Sequence, residues 1–457
     1  MTKSTRPELS GGAASSRSFL RASAAALTLT LTLGATACSN VFDVENPNDL
    51  SQAALDVPTG AVAAVNGAEA TVSRGYSDLL LATAVPTDEL TWTGTYDAGN
   101  ELDHGFLANT ANEFTDNEGA PTFNEGRFMA DEAIRLLETH DAASELRDRN
   151  LLARSYLYGG IIYSVIPDWF DDFVISDRRT AAPPIGAANM SQLYDKAIDY
   201  FTKGVAVAQA TGKKDLEAAM LAGRARAHHA KAVWGTLNPV GTVPANPLIN
   251  NAAAVADARA ALALAGNDWK YQFKYSASTI GSQIGSWINS RQEFRVDTAY
   301  GVPNTPKTRV TAVQLLDPIG RVPDATLQAQ LTALGMLAAT TELYPPQTVL
   351  SGVELRLILA EAALASNDLP GFTTEINAVR ALSGKPPFSG QMSARDLLVH
   401  ERRVNLFMQG RRLLDMYRFG IRDPRWLEAS DAVQTPGTLF PITDREIRSN
   451  CHLIGSC

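Results

Sequence analysis

The sequence predicts a mostly α fold: a tetratricopeptide-like scaffold of helix hairpins carrying long irregular insertions. Three observations predict it. Apolar residues recur at the 3.6-residue period through most of the chain. Small residues share those faces with aromatic ones, so paired helices can approach closely. Two stretches, 84–125 and 267–350, lose the period and are rich in turn-forming and aromatic residues. Irregular segments of that length are uncommon inside compact domains and are usually functional where they occur.

The helices follow in order. Leu152, Tyr156, Gly159 and Tyr163 fall on one face, as do Leu193, Ala197, Tyr200 and Gly204. Met220, Gly223, Ala227, Ala230 and Trp234 share a face of the alanine-rich "LEAAMLAGRARAHHAKAVW". "VELRLILAEAAL" at 353–364 and "TEINAVRAL" at 374–382 each have an apolar stripe. The expected hairpins pair 151–166 with 191–210, 216–234 with 252–265, and 353–366 with 372–383. Their spacing is uneven and fits no strict 34-residue consensus, so the repeat is degenerate.

The beginning of the chain reads as an export signal over 1–37. Arg17 and Arg21 precede an apolar run, Ala24–Leu33, followed by "GATAC", Gly34–Cys38. The run is too short for a bilayer span, which needs about 20 residues. Ala35-Thr36-Ala37 fits ordinary signal cleavage, while Cys38 followed by Ser39 and Asn40 fits lipoprotein processing. The cysteine count favours the lipid. With Cys38 acylated, Cys451 and Cys457 remain as an even pair. A disulfide closing so short a loop would contribute about 2 kcal/mol; two free thiols in a frayed tail are the alternative.

Without the leader, 36 basic and 48 acidic residues remain, a formal net charge of −12. Such a balance excludes nucleic acid as the expected partner, because phosphate binders need a basic face. The chain has no G-x-S-x-G, H-E-x-x-H, Walker A or G-x-G-x-x-G signature. His228 and His229 are adjacent, so on a helix they point apart. No enzyme activity, cofactor or metal is expected.

Three segments could touch a ligand. "IPDWFDDF", 166–173, brings Asp168, Asp171 and Asp172 together. They could bind a cation, or Asp168 and Asp172 could form a hydrolytic pair as in a secreted glycoside hydrolase. The plainer reading is a turn, with Pro167 ending the helix before it. In "DELTWTGTYDAGNELD", 88–103, Trp92, Tyr96 and Asn100 offer flat rings beside hydrogen-bonding groups, the mix that a sugar needs. Trp287 and Arg291 in "SWINSR" could form a second wall. For each aromatic, core packing is the alternative.

"HERRVNLFMQGRRLLDMYRFG", 400–420, reads as one helix whose apolar face holds Val404, Phe407, Leu414 and Tyr417. Arg411 and Arg412 stand four and three residues before Asp415, spacings that allow ion pairs. Gly410 would cost a helix interior about 1 kcal/mol relative to alanine, which suggests that another backbone passes close by. Arginines beside an apolar stripe can fork onto carboxylates of neighbouring segments. The segment reads as a structural clamp.

Here the chain resembles the SusD-like (RagB/SusD) family of outer-membrane nutrient-binding lipoproteins. Glu401-Arg402-Arg403-Val404-Asn405-Leu406, then Gln409-Gly410-Arg411-Arg412-Leu413-Leu414-Asp415-Met416-Tyr417-Arg418, follow its late signature. Asn405 and Gln409 stand where glutamates are usual, and Leu413 where an aromatic is common. "VFDVENPND" after Cys38, "RLILAEAAL" with "INAVRAL", and "LFPITDREIRSN" at 439–450 fall in the family's order. The resemblance spans nearly the whole mature chain, 38–457. It implies four tetratricopeptide-like helix pairs, with loops forming the ligand face. It also implies a lipid anchor at the outer membrane, facing the cell surface, and no enzymatic activity. The implied partner is a TonB-dependent, SusC-like barrel transporter, and the implied ligand an oligosaccharide or, alternatively, a peptide. A helical-repeat adaptor with protein partners alone is the third reading.

Overall fold

The computed structural model describes residues 52–177, 180–303, 309–339 and 342–457. The leader and Cys38 lie outside the described residues. Helix α1 (Ala61–Ala84) is followed by a short strand β1 (Leu90–Trp92) and helix α2 (Asp97–Asp103). Then come α3 (Ala120–Ala142), α4 (Asn150–Trp169), α5 (Gln192–Thr211), α6 (Lys214–Leu237) and α7 (Ala252–Ala265). The second irregular stretch holds β2 (Lys270–Phe273), β3 (Phe294–Val296), β4 (Gly301–Pro303), β5 (Val310–Val313), α8 (Ala325–Ala333) and β6 (Gln347–Ser351). Helices α9 (Gly352–Ala365), α10 (Leu369–Ala381), α11 (Ala394–Asn405) and α12 (Arg412–Phe419) follow, with short helices Asp431–Gln434, Asp444–Ser449 and Cys451–Ile454 beyond them, and the body folds as one unit from Leu55 to Cys457.

Four helix pairs form the scaffold: α1 with α3, α4 with α5, α6 with α7, and α9 with α10. The last three are the hairpins read from the periodicity. Small residues set the spacing, as between α4, α5 and α6. A Cβ on Gly160 would come within 2.5 Å of the Phe201 ring, and one on Gly223 within 2.4 Å of the same ring. Phe201 on α5 thus fills the space that two glycines leave, and it is fully buried.

Capping side chains mark where several helices start. Asn251 accepts from the Ala254 amide at 3.0 Å, Asp324 from Leu327 at 3.1 Å, and Ser351 from Glu354 at 3.2 Å. Asp368 accepts from Gly371 at 2.9 Å. Helix α4 runs past Pro167 to Trp169, so the proline does not end it. The missing donor costs one bond close to the helix end, and the Phe170 amide still closes the last turn onto Ile166 at 2.9 Å.

The two insertions are less irregular than their composition implies. β1 pairs antiparallel with β3, Leu90 opposite Val296 and Trp92 opposite Phe294. β2 pairs with β6 and β4 with β5, giving three separate two-stranded ribbons among the described residues. Each insertion also contains a wide helical turn with i→i−5 hydrogen bonds, Phe114–Gly119 and Ile284–Ser290.

The arginine-rich segment is two helices, α11 and α12, rather than one. Met408 and Gly410 adopt left-handed backbone angles, φ 55° and φ 70°, which no helix interior accommodates. The neighbour that demands a glycine at 410 is a side chain, not a backbone. A Cβ there would sit 2.9 Å from the Trp169 ring. Val404, Phe407, Leu414 and Tyr417 are all buried as expected. Among the described residues no helix is long and apolar enough to cross a membrane. Cys451 and Cys457 are joined in a disulfide with Cα atoms 4.9 Å apart.

Candidate functional site

The β1–β3 ribbon brings the two insertions together, and with them most of the residues singled out for ligand contact. Tyr96 lies 5.2 Å from Trp287 and 5.8 Å from Phe114, centroid to centroid, and Phe114 lies 5.2 Å from Trp287 and 5.3 Å from Phe294. Arg291 is exposed and lays its guanidinium 3.7 Å above the Trp287 ring. Phe114 and Trp287 both sit on the wide helical turns, so each insertion presents its ring from the same unusual backbone.

The members of this cluster differ in what they can offer. Trp92 is half-buried beside the cluster, and among the described residues its Nε1 has no hydrogen-bond partner. Gly99 on α2 sits under it. A Cβ there would lie 3.1 Å from Trp92 and 2.6 Å from the Phe294 ring. Tyr96 is also half-buried. Burial, reinforced by Glu113 and Glu118, pushes its hydroxyl up to about 12, so the phenol stays neutral and able to donate. Trp287 is only 4% exposed. Its faces meet Arg291, Tyr96 and Phe114, so in this structure it packs as a support rather than standing as an open wall. Asn100 is half-buried on α2, where its carbonyl accepts the His104 amide at 3.2 Å. Its side chain makes no hydrogen bond among the described residues.

Glu293 is the residue that sequence reasoning missed. Its carboxylate accepts the amides of Thr95 at 2.7 Å and Tyr96 at 3.3 Å. Its backbone carbonyl accepts Thr93 at 2.9 Å and Gly94 at 3.1 Å. One residue of the second insertion thereby fixes the Thr93–Tyr96 turn of the first. Nothing in the local sequence marks it; the aromatic density of both segments was the only available signal.

The acidic segment has a different role. Asp168 is 2% exposed, and its carboxylate takes the Tyr194 hydroxyl at 2.5 Å on one oxygen and the Arg411 guanidinium on the other. Asp172 accepts the amides of Phe173 at 2.7 Å and Gly186 at 2.8 Å. A hydrolytic pair needs two carboxyls open to a substrate, and Asp168 is closed by its partners. The hydrolase reading therefore loses one of its two groups.

The clamp reading holds, with different partners from those that spacing suggested. Arg411 reaches Asp168 and Arg412 grips Asp88 with two bonds of 2.7 Å. Asp415 is taken instead by Arg402 at 2.8 Å and Arg418 at 2.9 Å. Arg418 also pairs with Glu361, which receives His229 at 3.0 Å. Burial opposes the charge on Asp88, but Arg412 and then Arg403 outweigh it and hold the carboxyl down at about 2. The helices α11 and α12 are thus fastened to α1's exit, α4 and α9 by guanidinium forks.

Comparisons agree with this architecture. A sequence model of the SusD family matches residues 354–441, which contain α9, α10 and the arginine segment. No curated protein matches the chain in sequence. Among solved structures, a SusD superfamily protein from Bacteroides vulgatus is similar with a TM-score of 0.59 at 13% identity, over 86% of this chain and 97% of that one. A SusD superfamily protein from Bacteroides thetaiotaomicron gives 0.58 at 12% identity, over 87% and 98%. A SusD-like carbohydrate binding protein from Bacteroides vulgatus gives 0.55 at 14% identity, over 87% and 98%. At such identities the likeness is one of fold. Residues 354–441 thus match the SusD family's sequence model, on a fold that is similar over most of the chain to that of SusD superfamily proteins.

Proposed function

We propose that this protein is a non-catalytic lipoprotein of the outer membrane, anchored through Cys38, that binds nutrient oligosaccharides. It passes them to a TonB-dependent, SusC-like transporter. The observation that carries the reading is the convergence of two insertions, 198 residues apart at Thr95 and Glu293, into one cluster of rings and polar groups. The ring faces of Trp92 and Tyr96 take the C–H surface of a sugar, while Arg291 and Asn100 meet its hydroxyls. Trp287 backs Tyr96 from beneath. Stacking contributes about 1 kcal/mol per ring, so affinity in isolation is micromolar or weaker, and closure of the protein over the barrel traps the ligand.

Titration calorimetry with a panel of oligosaccharides tests this. Heat of binding that disappears in Trp92→Ala supports it, and unchanged affinity removes Trp92 from the site. Turnover of a labelled glycan would reinstate the hydrolase, and binding confined to peptides would move the protein to the family's other ligand class.

A further inference from the structure

The Phe170–Asp171 end of the acidic segment has a use that neither the clamp nor the aromatic cluster absorbs. It lines a cavity of about 520 Å³ together with Trp234, Pro239, Val240 and Leu439. That volume falls in the range of pockets that hold small organic molecules. The walls are tied in place. The Phe440 amide donates to Trp169 at 3.0 Å, the Asp171 amide to Phe440 at 3.0 Å, and the Gly241 amide to Pro436 at 2.8 Å. None of these residues belongs to the aromatic cluster.

The lining is mainly carbon, and its polar groups are mostly spoken for. The Asn238 amide donates to the Trp234 carbonyl at 3.0 Å, and the Thr438 hydroxyl to the Thr435 carbonyl at 2.7 Å. The Asp171 carboxylate takes the backbone amides of Asp171 and Asp172 but no counter-charge. Among the described residues no lysine, arginine or histidine pairs with it, and its neighbour Asp172 is another carboxylate. Burial first, and Asp172 second, raise it to about 6, which still leaves it largely ionised at pH 7.

These features restrict the occupant. A sugar would set several hydroxyls against carbon, and each unpaired one costs about 1–3 kcal/mol. An anion would meet the Asp171 carboxylate. A neutral hydrocarbon would strip water from Asp171 without replacing it. We propose that this cavity is a second binding site, for a small apolar molecule with one basic nitrogen, its ammonium on Asp171 and its carbon body against Trp234, Val240 and Leu439.

The test is calorimetry on the full mature chain at pH 7.5 with 2-phenylethylamine, 2-phenylethanol and 3-phenylpropionate. The amine is expected to bind saturably, the alcohol at least tenfold more weakly, and the carboxylate not at all. Asp171→Asn should weaken the amine at least tenfold at an unchanged melting temperature. Val240→Trp, at a position 41% exposed and so harmless to folding, should block it, while Trp92→Ala should leave it intact. The assignment is overturned by no amine binding, by equal binding of the alcohol, by full affinity in either cavity variant, or by loss in Trp92→Ala.

Discussion

The Glu293 carboxylate accepts the Thr95 amide at 2.7 Å, and this bond ties one insertion to the other. Its neighbouring bond to Tyr96 is longer, 3.3 Å, and both lie near the surface. A hydrogen bond to a charged group contributes about 1.5–3 kcal/mol when buried, and less where water competes. Glu293→Ala should therefore loosen the Thr93–Tyr96 turn without unfolding the body. Amide exchange at Thr95 and Tyr96 is expected to rise roughly tenfold, while the thermal midpoint moves by less than about 2 °C. Unchanged protection at both amides would show that the strand pairing alone holds the turn.

Gly410 pairs a left-handed backbone, φ 70°, with a Trp169 ring that leaves no room for a methyl group. Gly410→Ala meets both obstacles. The conformation costs a non-glycine residue about 1–2 kcal/mol, and displacing the buried indole adds an overpacking cost of about 1–3 kcal/mol. Urea denaturation should report a loss of about 2–5 kcal/mol. A loss below 1 kcal/mol would mean that Trp169 shifts freely, contrary to its burial.

The contrast between the arginine segment and the helices shows what a sequence reveals. The three later hairpins were legible because packing periodicity is local, every third or fourth residue reporting the same face. The first pair, α1 with α3, escaped because α3 begins inside a stretch whose composition reads as loop. Gly410 was conspicuous for the right reason, a close neighbour, but the neighbour lay on α4. Likewise Arg411 and Arg412 were seen to be clamps, yet local spacing offered only Asp415 as partner. Their carboxylates, Asp168 and Asp88, are 243 and 324 residues away. In the candidate site, ring chemistry marked Trp92, Tyr96 and Trp287. Only the fold decides which rings are half-exposed, because β1 and β3 meet across some two hundred residues.

Arg226 on α6 and Glu354 on α9 form a buried two-bond pair, one bond at 2.8 Å, that joins neighbouring repeats. Removing one member strands the other charge, a loss of about 3–5 kcal/mol in comparable sites. Arg226→Met should show that loss in denaturant midpoint. The double variant Arg226→Met, Glu354→Leu should recover at least half of it, because no orphan charge remains. If the double variant is worse than the single one, the surrounding Arg402 and Arg411 depend on Glu354 more than Arg226 does.

Glu89 supplies a pH dependence of known sign. It is 1% exposed, accepts the Met408 amide at 2.9 Å on one oxygen, and among the described residues has no hydrogen-bond partner on the other. Burial first, with Asp88 adding to it, raises the carboxyl from 4.5 to about 8, so it is protonated in the folded protein at pH 7. Below pH 4.5 both folded and unfolded chains hold the proton, and the contribution to stability is complete. Between 4.5 and about 8 only the folded chain holds it, so stability falls as pH rises, by about 1.4 kcal/mol per unit at most. Above 8 the loss levels off. Glu89→Gln keeps the shape and the Met408 bond but cannot ionise. Its stability relative to the wild type should therefore grow between pH 5 and pH 8, read as the difference in urea midpoints at the two values. A difference that stays constant across that range would mean that Glu89 is ionised in the folded protein and compensated by Arg412 and Arg403.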